Sequence, residues 1–288
     1  MNASTQLREL LAAPGLIVAP GAYDGITARL VQQAGFSAVY MTGAGTCAAR
    51  GFPDFGLLGM AEMVENAAVM ARSISLPLIA DADTGYGNEL NVTRTVREYE
   101  ARNVAAIHIE DQVLAKRCGH LDGKEVVERS EFIAKIRAAV AARRSADFVI
   151  IARTDARAVL GFDEAVARAN LALEAGADMA FVEAPQTLEE ITAIPRLVNG
   201  PCLLNLVPNG KTPMLSIPEV EALGYRLLIL PGLLLKPILE ATDAALRDLA
   251  STGNTAGTPS PHGVAELFRR FGADEWTLLR HRFQQSEG

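Results

Sequence analysis

The chain has 288 residues, 49% of them apolar, and a formal net charge of −7. That length supports a sizeable core, either one α/β barrel or two smaller domains, and so ordinary a composition excludes a disordered or fibrous chain. The acidic balance argues against nucleic acid as a partner, because neutralising phosphates needs a basic surface.

Met1 to Thr5 lack a basic segment followed by an apolar core, so no secretory signal is expected. Cys47, Cys118 and Cys202 are few, odd in number and far apart, which disfavours a disulfide framework and favours the reducing cytoplasm. The run from Leu227 to Leu235 is interrupted by Pro231 and Gly232, so neither a membrane span nor a membrane partner is expected.

Taken in order, eight short apolar runs read as strands. They are Leu16–Ala19, Ala38–Met41, Leu78–Asp81, Ala105–Ile109, Phe148–Ala152, Met179–Val182, Cys202–Asn205 and Leu227–Leu230. Helical stripes lie between them, such as Ile26, Leu30 and Val31, or Ile133, Ile136 and Val140. Gly35, Gly176 and Gly224 stand where helix C-caps are expected. Continuous apolar strands alternating with helices imply a parallel sheet covered on both faces, and eight units imply a closed (β/α)8 barrel of the TIM type. The barrel is expected over residues 1–250. A linker rich in Gly, Ser, Thr and Pro, Ser251 to Pro261, and helices over Gly263–Phe271 and Asp274–Phe283 make up a tail at 251–288.

Reading past the strand ends yields Tyr40 and Thr42, Asp81 and Asp83, Glu110, Arg153, Glu183, Asn205 and Pro231. Barrel enzymes place their chemistry on that rim, so these residues mark the expected site. Leu78 to His120 is its densest stretch: two strands end in carboxylates, and Lys116-Arg117-Cys118-Gly119-His120 follows. Hard oxygen ligands suit Mg2+, with Mn2+ as a substitute. Neighbouring cations favour the thiolate of Cys118. With Gly119 and Gly123 in it, the segment Gln112 to Lys124 is expected to move and close over the site. His108 on an apolar strand reads as a satisfied core histidine, Cys47 and Cys202 as structural, and His262 and His281 carry no site argument. Gly43-Ala44-Gly45-Thr46-Cys47-Ala48 fits a dinucleotide fingerprint literally, but Pro53-Asp54-Phe55-Gly56 follows too soon for its helix. A rim loop with free backbone N–H groups is expected there instead.

Ala80-Asp81-Ala82-Asp83-Thr84-Gly85-Tyr86-Gly87, Ile109-Glu110-Asp111-Gln112 and Lys116-Arg117-Cys118-Gly119-His120 resemble the isocitrate lyase and phosphoenolpyruvate mutase superfamily. The resemblance runs from about Pro20 to Pro237, with more around Phe268 to Trp276. The Lys-Arg-Cys-Gly-His loop points to the carbon–carbon lyase branch, whose 2-methylisocitrate lyase-like and 2,3-dimethylmalate lyase-like members the chain resembles. The resemblance implies a (β/α)8 barrel with its last helix swapped between subunits of a homotetramer. It implies Asp83 as direct Mg2+ ligand, with Asp81, Asp54 and Glu110 holding metal-bound waters. Thr42, Gly43 and Ala44 would hold a pyruvate moiety. Cys118 would exchange a proton with carbon, and Arg153 would face the reacting oxyanion. His120, Glu183 and Asn205 would line the pocket for the second product.

The residues support a retro-aldol cleavage of a 2-hydroxy acid between C2 and C3. Lys116, Arg117, His120 and Arg153 would supply positive charge, Cys118 would act as general acid and Tyr40 as the base on the hydroxyl. Gly119 and Pro231 complete the expected substrate contacts. After Asn205 the chain departs from the family: Val207 and Pro208 replace hydrogen-bonding side chains, and Pro231 to Leu235 is apolar. An apolar wall favours an alkyl substituent over a further carboxylate, because a buried unpaired carboxylate is costly. A 2-alkylmalate or 2,3-dimethylmalate is therefore the expected substrate. Alternatives are 2-methylisocitrate cleavage, oxaloacetate hydrolysis or decarboxylation, and a phosphoenolpyruvate-type phosphonomutase.

Overall fold

A computed structural model describes residues 2–255 and 263–284, so His262 and part of the expected linker lie outside the described residues. Eight parallel strands close into a barrel in sequence order. They are β1 (Ile17–Ala22), β2 (Val39–Met41), β3 (Leu78–Asp81), β4 (Ala106–Glu110), β5 (Val149–Thr154), β6 (Met179–Val182), β7 (Cys202–Asn205) and β8 (Leu227–Leu230). Helices run between them, and Gly35, Gly176 and Gly224 follow their helices with φ of 85°, 102° and 94°, as expected of C-caps.

Alternation along the strands decides what enters the barrel. Tyr40, Ile79, Ala106, Val149, Ile151, Met179, Phe181, Leu203 and Ile229 share one interior cluster. Successive side chains of a strand point to opposite faces. Continuing each strand by two or four residues therefore turns Thr42, Asp81, His108, Glu110, Arg153, Glu183 and Asn205 toward the barrel axis at its C-terminal end. Register sets them side by side: Asp81 pairs with His108, Glu110 with Arg153, and Arg153 with Phe181. The other strand faces meet the surrounding helices in separate clusters.

The opposite end is plugged by the helix Ala3–Ala12, whose Ala3 and Leu7 join the interior cluster. Arg8 pairs with Asp178 at 2.7 Å, and Thr5 Oγ1 donates to Asp147 at 2.6 Å. Contacts divide the chain into two compact units, Met1–Lys236 and Pro237–Gly288. The division falls near the start of the helix Leu235–Thr252, whereas the sequence placed the barrel's end at 250. The second unit also holds helices Val264–Arg270 and Ala273–Gln284, and none of these three helices has a buried residue.

Candidate active site

A cavity of about 130 Å3 opens at the C-terminal end of the barrel. Tyr40, Thr42, Ala44, Asp54, Asp81, Cys118, Gly119, His120, Arg153, Glu183, Asn205 and Pro231 line it, so most of the residues singled out from sequence meet in one place. Val207, Gly232 and Leu235 complete an apolar side. Asp83 and Lys116 line a neighbouring cavity of about 460 Å3 together with Thr84 and Arg94.

Thr42 caps a helix over Gly43–Ala49, its Oγ1 accepting from Gly45 N at 3.4 Å. This corrects the expected rim loop: a two-turn helix fits before Pro53, because glycine and alanine offer no side chains to clash there. Its first amides lack intrahelical acceptors, and the helix dipole adds partial positive charge, so the turn suits a carboxylate. Gly43 permits the close approach, since a Cβ there would lie 2.4 Å from Asp81 Oδ2.

The carboxylates are buried in unequal circumstances. Burial works against the Asp81 carboxylate, but His108, Lys116, Arg153 and the Asp83 N–H outweigh it and hold its pKa down to about 2. Asp83 sits at a strained φ of 44° and is pushed up to about 6, first by burial and then by Asp81 and Asp54, with Lys116 opposing. Glu110 is fully buried and raised well above the usual range by burial. Neither of its oxygens has a hydrogen bond, although Arg153 Nη1 stands 3.1 Å from Oε2.

Lys116 lies between carboxylates, 2.6 Å from Asp54 Oδ1 and 2.9 Å from Asp83 Oδ1. Burial opposes its charge, but Asp83, Asp81, Glu110 and Asp54 overcome that and keep it an ammonium. Its charge therefore faces the acidic cluster rather than the cavity, which corrects its expected place beside the carbanion. Among the described residues no three carboxylate, imidazole or thiol groups already converge as a metal cage. The set nevertheless fits a hard divalent cation. Every donor is oxygen, and both oxygens of the fully buried Glu110 lack hydrogen-bond partners.

Further expectations for the loop change. Arg117 is exposed and does not line the cavity, while its backbone N and O bond the Gln112 side chain at 2.9 and 2.8 Å. Cys118 has its pKa raised rather than lowered: burial dominates, with Asp54 and Glu183 adding to it against the His120 N–H and Arg153. Flanking Lys116 and Arg117 do not help, because neither ammonium nor guanidinium turns toward the sulfur's cavity. His120 is also depressed, first by burial, and so is neutral. Its Nδ1 accepts from Lys211 N at 3.1 Å, which leaves the proton on Nε2, 3.4 Å from Glu183 Oε1. Asn205 Nδ2 lies 3.2 Å from both Glu183 oxygens.

Tyr40 is raised well above its usual pKa, chiefly by burial and then by Asp81, so it stays protonated and is not a resting base. Its hydroxyl lies 2.8 Å from His108 Nε2. That gives His108 one partner, while its Nδ1 has none, so only half of the satisfied core reading holds. Sequence reasoning also passed over Asp155, Lys124 and Asp111. Asp155 is fully buried, and Arg153 and Lys124 overcome burial to hold it down to about 2. Asp111 directly follows the strand-end Glu110 and Asp155 stands two residues after Arg153, positions that could have drawn notice.

The phosphoenolpyruvate phosphomutase family model matches residues 7–250. A 2,3-dimethylmalate lyase from Eubacterium barkeri is 50% identical over 232 residues, 80% of each chain. A 2-methylisocitrate lyase from Aeropyrum pernix is 43% identical, covering 86% of this chain and 80% of its own. A solved oxaloacetate acetylhydrolase, in complex with the inhibitor 3,3-difluorooxalacetate, superposes with a TM-score of 0.95 at 41% identity, over 98% of this chain and 97% of that one. A phosphonopyruvate hydrolase solved with oxalate and Mg2+ is more distant, with a TM-score of 0.84 at 33% identity over 99% of this chain and 100% of that one.

Proposed function

The chain belongs to the phosphoenolpyruvate phosphomutase family, within the superfamily shared with isocitrate lyases, and from that premise we propose a divalent-metal-dependent carbon–carbon lyase acting on a 2-alkylmalate such as 2,3-dimethylmalate. The observation that carries this reading is the cavity's division into two sides. Cys118, Arg153, His120 and the helix start at Thr42 form a polar side, and Val207, Pro231, Gly232 and Leu235 an apolar one. A methyl group suits the apolar side, whereas a carboxylate buried there would be unpaired.

Asp83, together with Asp81, Asp54 and Glu110, would hold a divalent cation, which would supply Lewis acidity for charge on the substrate's oxygens. The first amides of the helix at Gly43 bind the carboxylate of the pyruvate half. Cleavage breaks the C2–C3 bond: the hydroxyl proton passes to the ionised Asp81 carboxylate in the cavity wall, the O–H electrons form the carbonyl of a 2-keto acid, and the C2–C3 electron pair passes to C3. Arg153 and the His120 N–H stabilise the resulting carboxylate-conjugated carbanion. Cys118 Sγ then donates its proton to C3, a task that suits a thiol kept protonated by burial.

Exposed apolar residues of the C-terminal helices, among them Leu246, Phe268 and Trp276, support a helix-swapped homotetramer as the working assembly. Among the described residues no helix is long and apolar enough to cross a membrane. A cytoplasmic enzyme is part of the same proposal. The test is incubation with Mg2+ and a panel of 2-alkylmalates, 2-methylisocitrate, oxaloacetate and phosphonopyruvate. Pyruvate would be followed with a coupled dehydrogenase, and oxalate and phosphate directly. Highest kcat/KM on 2,3-dimethylmalate supports the reading. Release of oxalate from oxaloacetate alone, or phosphorus transfer alone, would overturn it.

A further inference from the structure

We propose that Lys124 is a positioning residue that latches the Cys118 loop onto the barrel through Asp155, the same carboxylate that orients Arg153. The Lys124 side chain is 1% exposed, rare for a lysine, and its ammonium lies 3.0 Å from Asp155 Oδ1. The same ammonium donates to the Gly119 carbonyl, the residue after Cys118. Asp155 in turn accepts from Arg153 Nε at 2.9 Å and Nη2 at 3.3 Å. Asp111 fixes Asp155 from behind, accepting its backbone N–H at 2.8 Å and the Thr154 hydroxyl at 2.6 Å.

Gly119 shows how tight the seating is. A Cβ at that position would lie 2.2 Å from Glu183 Oε1 and 2.6 Å from Arg153 Nη2. Loop backbone thus rests directly on the guanidinium, and one buried ammonium holds both sides of the contact. Thiol and guanidinium come from loop and barrel, two parts joined at this point by Lys124. A lysine reaches the carbonyl and the carboxylate together because its three N–H bonds point in different directions. Without it, Gly119 O loses a charged donor, and Asp155 keeps only Arg153 among side-chain cations.

The test is the reactivity of Cys118 in the full-length protein free of substrate. Iodoacetamide labelling is resolved by peptide, so that buried Cys47 and Cys202 report on general loosening. In Lys124→Met the labelling of Cys118 should rise about tenfold, the ratio expected from losing one charge-assisted hydrogen bond. Cys47 and Cys202 should not change, and Lys124→Arg should stay protected. Only the activity measurement rests on the lyase reading: kcat should fall more than KM rises, because Arg153 and Cys118 lose their mutual register. Labelling does not depend on turnover, so failure of the lyase reading leaves it interpretable. Equal Cys118 labelling in Lys124→Met and parent would overturn the latch, as would parallel labelling of all three cysteines. If Lys124→Met does not fold, Lys124→Gln is judged by the same labelling.

Discussion

The two ends of the barrel treat buried polarity in opposite ways. At the N-terminal end Asp178 receives Arg8, Arg143 and the Ile150 N–H at 2.7, 2.8 and 2.8 Å, and Arg226 donates to the Leu11 carbonyl at 2.9 Å. At the C-terminal end Thr84, His108, both oxygens of Glu110, Asn205 and Thr212 hold buried atoms without hydrogen bonds, and Asp83 Oδ1 meets the Lys116 ammonium at 2.9 Å. Those six are all the buried side-chain atoms left without a hydrogen bond among the described residues once the Asp83 pair is set aside. An unpaired buried polar atom costs roughly 1–3 kcal/mol, so the asymmetry is a stability cost concentrated where a ligand can relieve it. One end holds the fold together and the other stays poised for chemistry.

The largest test of this contrast is to remove the cation's place. Asp83→Ala, or EDTA treatment of the parent, should lower kcat at least about 10³-fold, because the Lewis acid contributes several kcal/mol to the transition state. Thermal stability of Asp83→Ala should hold or rise. Full activity in metal-free enzyme would sink the metal reading, and a collapse in stability would show that this rim supports the fold.

Next comes Cys118→Ser, which keeps a donor but raises its pKa beyond any useful range. A loss in kcat on the order of 10²–10⁴-fold is expected. Metal affinity should stay constant, and C3–H exchange in D2O should fall with cleavage. Release of pyruvate at close to the parent rate would end the thiol-acid role.

The opposite end should respond in stability alone. Asp178→Ala strips partners from Arg8, Arg143 and the Ile150 N–H, and should cost about 2 kcal/mol, the lower range for a largely buried network. Urea denaturation measures the loss, while kcat at 25 °C should match the parent. A kcat effect as large as that of Cys118→Ser would erase the distinction between the ends.

Much of this division is legible in the residues themselves. Four strands, β3, β6, β7 and β8, begin and end where their apolar runs do. Strands β1, β4 and β5 run further, taking in Pro20 to Ala22, Glu110, and Arg153 and Thr154. Chemistry-bearing residues inside a strand break the apolar pattern that reveals it. The helix at Gly43 was hidden for a related reason, since glycine carries little helix signal. Charge state was the least legible property. Lys116, Arg117 and His120 flank Cys118 in sequence, yet one faces carboxylates, one faces solvent and one is neutral. Lys124 and Asp155 are 31 positions apart, and no local pattern announces their bond.

The smallest effect is the pH dependence of metal affinity, and its sign follows from Asp83. Burial, then Asp81 and Asp54, raise its pKa to about 6 against the pull of Lys116. A cation binds the ionised carboxylate, so protons compete for the same oxygens. Affinity should therefore be level above that pKa and weaken as pH falls through it. For one carboxylate titrating near 6, Mg2+ affinity should drop about fourfold between pH 7.5 and 5.5. Glu110, raised by burial in the same direction, steepens the fall if it joins the ligand set. Calorimetric titration in two buffers of different ionisation heat reads both the affinity and the protons released, and release should grow toward pH 5.5. Asp178→Asn, at the far end, should leave the slope unchanged. An affinity identical at the two pH values would mean that Asp83 does not meet the metal directly, whatever the loss of activity in Asp83→Ala.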